Sequence, residues 1–297
     1  MAKKLIRRFL PTRLYNLLRQ SVRRRRQARR RLAPKISEAE FREILVSKLG
    51  VTRGRAVFVH SSMDWMNLDF PAHRVLLTLR EAVGTDGAVL FPCTHILDDP
   101  RGYYASGGVF DAGRTPTVSG LIPELARRQT DAVRSLHPTH SVVGLGKHAH
   151  ELVCDHTRSV RPFGPDSPYF RILDLDGVII GLGVSTEFLT FLHCVEDVME
   201  ERFPVRTYDD EILEARVRDS DGCEHIARTL VHARGTRRRN APRYMNLHVA
   251  PAICGDLQIG GVPFFSATAR SLLARMEELA NRGVTIYSCH SFLDRIR

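Results

Sequence analysis

The chain alternates short apolar runs with longer stretches whose apolar positions fall three and four apart. That rhythm predicts strands interleaved with amphipathic helices. Ser37 to Glu40 reads Ser-Glu-Ala-Glu, a capping box, and opens a helix through about Leu49 with Phe41, Ile44 and Leu45 on its apolar face. Ala56-Val57-Phe58-Val59 is a buried-type strand that ends in His60-Ser61-Ser62. A helix from about Pro71 turns Val75, Leu76 and Leu79 inward and stops at Gly84. Gly87 to Phe91 is the next strand, and 93–118 reads as a long loop rich in Gly and Pro. A helix from Ser119 to about Arg128 follows, then a strand over Ser141 to Gly146 and a helix from Lys147 to about Val153. A second loop spans 157–168, and Ser167-Pro168 caps a short helix to Leu173.

Gly177 to Leu182 is a further strand, feeding a helix over Thr190 to Glu196. Alternation in Ile212 to Val217 and in His225 to Leu230, across Asp219-Ser220-Asp221-Gly222, predicts a hairpin. Ser266 to Asn281 is amphipathic and helical. The sum is an α/β fold: a central, mostly parallel or mixed sheet flanked by helices, with an antiparallel excursion toward the C-terminus.

Charge changes the picture at one end only. The net charge is +11, yet residues 1–35 hold fourteen Lys and Arg and no acid, which leaves 30 basic against 33 acidic residues beyond them. The organisation expected is a basic tail at 1–35 and one domain at 36–297. In the tail, Leu14, Leu17, Leu18 and Val22 fall at helical spacing among arginines, which suits an interfacial helix on an anionic membrane surface. A solubilising arm or a helix docked on a partner subunit fits the same residues. Base-stacking aromatics are nearly absent there, so nucleic acid is not the expected partner. Six cysteines stand far apart, no apolar run approaches the ~20 residues of a membrane span, and no signal peptide is visible. The expected place is the cytoplasm, with the tail touching the inner membrane face in the interfacial reading, and a homo-oligomer is compatible.

Three segments offer chemistry. Thr190, His193 and Glu196 recur in steps of three after the Gly181-Leu182-Gly183 turn. On one helical face, a hydroxyl, an imidazole and a carboxylate can orient and tune a general base; a merely polar helix face has the same spacing. His60-Ser61-Ser62 ends a strand, where ligands gather in open α/β sheets, and hydroxyls with free backbone N–H groups there can hold phosphate. Arg134 to Ser141 adds a cation, hydroxyls and two imidazoles, with Arg134 suited to a phosphate. His148, His150 and His156 near Asp155 admit a metal reading, against that of a surface helix. The phosphate-binding G-x-x-x-x-G-K-[ST] loop, the G-x-S-x-G elbow and a dinucleotide-binding glycine motif after the first strand are all absent.

Five pieces occur in order over roughly residues 40–200: Val59-His60-Ser61-Ser62, Ser119-Gly120-Leu121-Ile122-Pro123-Glu124, Arg134-Ser135-Leu136-His137-Pro138-Thr139-His140-Ser141, Pro162-Phe163-Gly164-Pro165-Asp166-Ser167-Pro168 and Thr190-Phe191-Leu192-His193-Cys194-Val195-Glu196. Together they resemble the aminoglycoside 3-N-acetyltransferase family, which uses acetyl-CoA and is unrelated to the common acetyltransferase fold. The resemblance implies direct transfer of acetyl from acetyl-CoA to an amine of an amino sugar or aminoglycoside. It puts the family's catalytic residues on Thr190, His193 and Glu196, with His193 as general base. It puts the CoA-binding elements on His60, Ser61 and Ser62 and on Arg134, Ser135, His137, Thr139, His140 and Ser141. No metal is implied.

Asp64 and Glu187 are candidates to attract a cationic acceptor. Antibiotic-modifying members usually carry Asp and Asn shortly before the catalytic Thr, where this chain has Glu187 and Leu189, and Trp65 and Met66 follow Asp64. These departures touch the acceptor side rather than the transfer chemistry, and an amino sugar of envelope polysaccharide is the other acceptor class. Two other readings stay open: a metal-dependent hydrolase using the histidines of 137–156, and a non-catalytic binding member.

Overall fold

The structure, a computed structural model, describes residues 34–288 except 97, 234, 235, 237 and 238. The tail and its expected amphipathic helix therefore lie outside the described residues, apart from 34 and 35. A seven-stranded mixed sheet carries the fold. Its centre is β1 (Ala56–Ser61), flanked in parallel by β2 (Ala88–Pro92) and by the strand Val178–Leu182. A small separate sheet holds β3 (Val109–Asp111), placed parallel to Leu213–Arg218. On the large sheet β4 (Val133–Arg134) and β5 (Val142–Gly146) run antiparallel beyond β2. In chain order the strands continue as β6 (Val178–Leu182), β7 (Leu213–Arg218), β8 (Glu224–Thr229), β9 (Cys254–Ile259) and β10 (Val262–Thr268). The large sheet is ordered β4-β5-β2-β1-β6-β10-β9, and the small one β3-β7-β8.

Alternation along the central strands separates two cores. Ala56, Phe58, Ala88, Leu90 and Ile179 face one side, while Val57, Val59, Val89, Phe91, Val178 and Ile180 face the other. Both faces are covered, which is why β1 and β6 read as continuous apolar runs. The second face is closed by α1 (Glu38–Glu43), α2 (Ala72–Val83) and the helix Leu121–Arg127. The capping box at the head of α1 is formed: Glu40 N–H donates to Ser37 Oγ at 3.2 Å, and Ser37 N–H to Glu40 Oε2 at 2.8 Å.

The remaining helices are α3 (Pro100–Ala105), α4 (Leu121–Arg127), α5 (Ala149–Val153), α6 (Pro168–Arg171), α7 (Cys194–Met199), α8 (Ala241–His248) and α9 (Ala269–Asn281). Helices α5 to α9 pack on the first face through residues such as Leu152, Tyr169, Cys194, Tyr244 and Leu272.

Several boundaries differ from the expectations. The 93–118 segment holds α3, capped by Asp99 with Pro100 at its first position, and β3. The strand β4 and the helix α8, capped by Asn240, were not read from the sequence. The hairpin β9–β10 was missed as well: Gly260 and Gly261, both at positive φ (55° and 75°), supply its two-residue turn. Because β10 runs to Thr268, the last amphipathic helix begins at Ala269 rather than Ser266. The segment Thr190–Glu196 is two pieces, a 3₁₀ turn over Thr190–His193 and then α7. The chain enters it extended at Leu189 (ψ 94°), and the tighter turn lets it swing directly into the helix.

Candidate active site

The site forms where β6 gives way to α7. Gly181 lacks a side chain where the ring of Phe265 lies: a Cβ there would sit 2.1 Å from that ring. Gly183 has φ 71°, and its Cβ would meet the Ser62 carbonyl at 2.5 Å. That close approach lets Ser62 N–H donate to Leu182 O at 2.9 Å, so the His60-Ser61-Ser62 turn lies directly against the loop after β6. Asp256 on β9 then holds the loop, accepting from Thr186 N–H at 2.7 Å and Thr186 Oγ1 at 2.9 Å. Leu189 is buried, and the chain turns through Thr190 into His193.

His193 is 4% exposed and its Nδ1 lies 2.9 Å from Glu196 Oε1. The same carboxylate oxygen accepts from Tyr287 Oη at 2.8 Å, and Oε2 lies 3.4 Å from His232 Nε2. Burial pushes the Glu196 carboxyl up, but the imidazoles of His193 and His232 outweigh it and hold it down at about 2. Glu196 is therefore a carboxylate. On its other side, His193 Nε2 contacts the Arg239 guanidinium. A guanidinium only donates, so Nε2 carries the lone pair and Nδ1 the proton. Burial depresses the His193 pKa to about 4; Glu196 opposes this, while His232 and Arg239 add to it. Phe163 packs on the ring at 5.0 Å between centroids and His232 at 4.5 Å. The arrangement is an oriented neutral imidazole in a nearly dry site, with its basic nitrogen facing Arg239.

The other expected residues fall in different places. Thr190 Oγ1 lies 3.3 Å from His60 Nε2, so it pairs with His60 rather than with His193. The Arg134–Ser141 segment spends most of its side chains internally. Arg134 donates to the carbonyls of Thr115 and Cys93 and stacks over Phe110 at 4.7 Å. Ser141 Oγ donates to Cys93 O at 2.6 Å, and Ser135 Oγ bridges Val142 N–H and His156 Nδ1, each at 2.9 Å. His137 Nδ1 accepts from His140 N–H at 3.1 Å, and its Nε2 lies 3.1 Å from Thr229 Oγ1. Thr139 Oγ1 is 2.8 Å from His140 Nδ1. Where a phosphate contact was expected, the Arg134 guanidinium pins the 93–118 segment to the sheet and Ser141 bonds Cys93 of the same segment, while Ser135 and His137 tie the loop to His156 and Thr229.

Asp64 and Glu187 are both exposed. The metal reading of 137–156 is also corrected. His148 pairs with Glu151 at the surface, His150 is exposed, and His156 is buried between Ser135 and the Pro162 carbonyl, so the three do not converge. Among the described residues, the grouping whose ligand atoms lie within 4.8 Å of one another is His193, Glu196 and His232. His232, Tyr287, Arg239 and Asp256 were not singled out from the sequence.

The model of the family described as aminoglycoside 3-N-acetyltransferase matches residues 58–279. The chain belongs to this family. The aminoglycoside N(3)-acetyltransferase VIII of Streptomyces fradiae is 32% identical over 162 residues, covering 50% of this chain and 56% of that protein. The match thus spans less than two thirds of that relative. The aminoglycoside acetyltransferase AAC(3)-Xa has the same fold, with TM-score 0.69, 21% identity and coverage of 89% of this chain and 99% of that one. AAC-IIIb, solved as a binary complex with CoASH, superposes with TM-score 0.65 at 20% identity over 85% of this chain and 98% of that one. The mixed sheet with flanking helices is therefore the family's fold, and the five segments that suggested the family all fall within or beside the matched span.

Proposed function

We propose that this protein is an acetyl-CoA-dependent N-acetyltransferase acting on an amine of an amino sugar, with His193 as general base. The observation that carries the reading is the Glu196–His193 pair, in which Nδ1–H is held by a buried carboxylate and Nε2 is left as the basic atom. Family membership and the CoASH-bound relative support acetyl-CoA as the donor. The amine attacks the thioester carbonyl while Nε2 takes a proton from its nitrogen. The tetrahedral oxyanion collapses, the C–S bond breaks, and the imidazolium returns its proton to the departing thiolate. The products are an acetamide and CoA thiol. Glu196 holds the tautomer and stabilises the imidazolium. In this reading Thr190 and His60, the latter near the carboxyl end of β1, stand beside the reacting carbonyl, and the hydroxyls of Ser61 and Ser62 serve CoA. Holding thioester and amine together supplies much of the acceleration.

The test is thiol release from acetyl-CoA with a panel of aminoglycosides and amino sugars. Removing a general base costs about 10²- to 10⁴-fold. His193→Ala is therefore expected to lose turnover by that factor while still binding CoA. Full activity in that variant would overturn the assignment of the base, and failure of the wild type to bind acetyl-CoA would overturn the enzyme reading.

A further inference from the structure

The acceptor-facing atom of this site already has a cation on it. Arg239 donates through Nη1 to His193 Nε2, the atom that must take the proton from the amine. Its backbone is anchored: the following Asn240 N–H donates to Ile286 O at 3.2 Å, and Asn240 Oδ1 caps α8 by accepting from Arg243 N–H at 3.1 Å. Arg239 is exposed as a residue, and among the described residues no carboxylate forms an ion pair with it. The site's own carboxylates are committed elsewhere. Glu196 serves His193, His232 and Tyr287, and Asp197 accepts from Phe163 N–H at 2.7 Å.

A guanidinium in this position has two chemical uses. A donor to the thioester oxyanion would sit beside the carbonyl oxygen and leave Nε2 open to the amine. Arg239 instead occupies the amine's own place. A polycationic acceptor would have to displace it against like-charge repulsion. An oxyanion carried by the acceptor would draw it off Nε2 through a bidentate pair and uncover the base as substrate binds. The phosphates of CoA lie at the far end of the pantetheine arm from the thioester, so the acceptor is the source of that oxyanion.

Building on the acetyltransferase reading above, we propose that the acceptor is an amino sugar bearing a phosphate or carboxylate, and that Arg239 is the residue that selects it. The oxyanion pairs with the guanidinium, which leaves Nε2, and the amine enters the vacated position. Substrate charge thereby controls access to the base.

The experiment uses the full chain saturated with CoA, so that the surface for the CoA phosphates is filled. Binding of glucosamine 6-phosphate, glucosamine, glucuronic acid and gentamicin is measured by calorimetry for wild type and Arg239→Gln, and turnover with acetyl-CoA is followed in parallel. A charge-assisted pair predicts roughly tenfold or more tighter binding of glucosamine 6-phosphate than of glucosamine, collapsing to near parity in the variant. Glucuronic acid separates carboxylate from phosphate as the preferred oxyanion. Equal binding of the phosphorylated and plain sugars by wild type, or tighter binding of gentamicin, overturns the proposal. So does a ratio that survives Arg239→Gln. Selective binding without thiol release from acetyl-CoA would keep the Arg239 assignment and remove the acetyltransferase reading, so the two fail separately.

Discussion

Acidification strikes this fold through its buried histidines. His60, His95, His137, His140, His156 and His193 are all held below the ordinary imidazole range, each chiefly by burial: His60 and His156 to about 3, His95 and His193 to about 4, and His137 and His140 well below 6.5. Between the native and unfolded values the unfolded chain binds the proton and the native one does not. Stability contributed by these rings is therefore complete above 6.5 and is lost as pH falls below it. At pH 5.5, one unit below the unfolded value, the six rings together cost on the order of 8 kcal/mol.

Asp197 acts in the other sense. Burial raises its carboxyl to about 6, so the native state takes up most of that proton by pH 5.5 and returns about 1 kcal/mol there. The net loss, roughly 7 kcal/mol, is comparable to the whole stability of an ordinary domain. Urea unfolding between pH 7.5 and 5.5, read by far-ultraviolet dichroism, should show stability falling by about 6 kcal/mol per pH unit near pH 5.5, with between about four and five protons taken up. His156→Gln removes one titrating ring and should lower that slope by about 1.4 kcal/mol per unit, whatever it does to stability at pH 7.5. Stability at pH 5.5 within about 1 kcal/mol of its value at pH 7.5 would refute the reasoning.

Other outcomes follow from individual contacts. Tyr287→Phe leaves Glu196 short of one buried donor; a hydrogen bond to a charged group is worth about 1.5–3 kcal/mol, so kcat should fall about ten- to a hundredfold, with CoA binding unchanged. Unaltered kcat would remove Tyr287 from the network. Gly183→Ala places a Cβ against the Ser62 carbonyl at a positive φ and should lower stability by about 1–3 kcal/mol in urea melts; a neutral effect would mean the two turns are not in contact. Dialysis against EDTA should leave turnover intact, because the candidate ligand atoms of His193, Glu196 and His232 already bond to one another. Activity lost to chelator and restored by zinc would favour hydrolysis instead. Ser37→Ala removes the capping box of α1 and should cost about 1 kcal/mol without touching kcat.

Much of the fold could be read from local pattern because its central strands are buried on both faces and its longer helices on one. Val57, Phe58, Ile179 and Ile180 announce themselves by composition, and α2 and α9 by spacing. The hairpin β9–β10 was missed although Gly260-Gly261 marks its turn, because only alternate residues of β9 are covered and Asp256 and Gln258 dilute the apolar signal. In the site, His193 and Glu196 were legible because they stand one helical turn apart. His232, Arg239 and Tyr287 reach the same two side chains from 36, 46 and 91 residues away, a distance at which single-sequence spacing carries no information. Arg134 shows the converse. Its residue type suits a phosphate, but from the edge strand β4 its guanidinium donates to the carbonyls of Cys93 and Thr115.

The convergence on Glu196 also imposes an order in time. Its carboxylate is completed by His193 from α7, by His232 from the segment after β8, and last by Tyr287 beyond α9. A ribosome delivers these in sequence, and domains form as their N-terminal parts emerge. Until Tyr287 has been synthesised, the nascent chain holds a buried acid lacking one of its donors and a base without its final support. The network around Glu196 is thus complete only once Tyr287 is made, and a product terminated between Thr268 and Tyr287 would keep the strands of the sheet yet lack that donor.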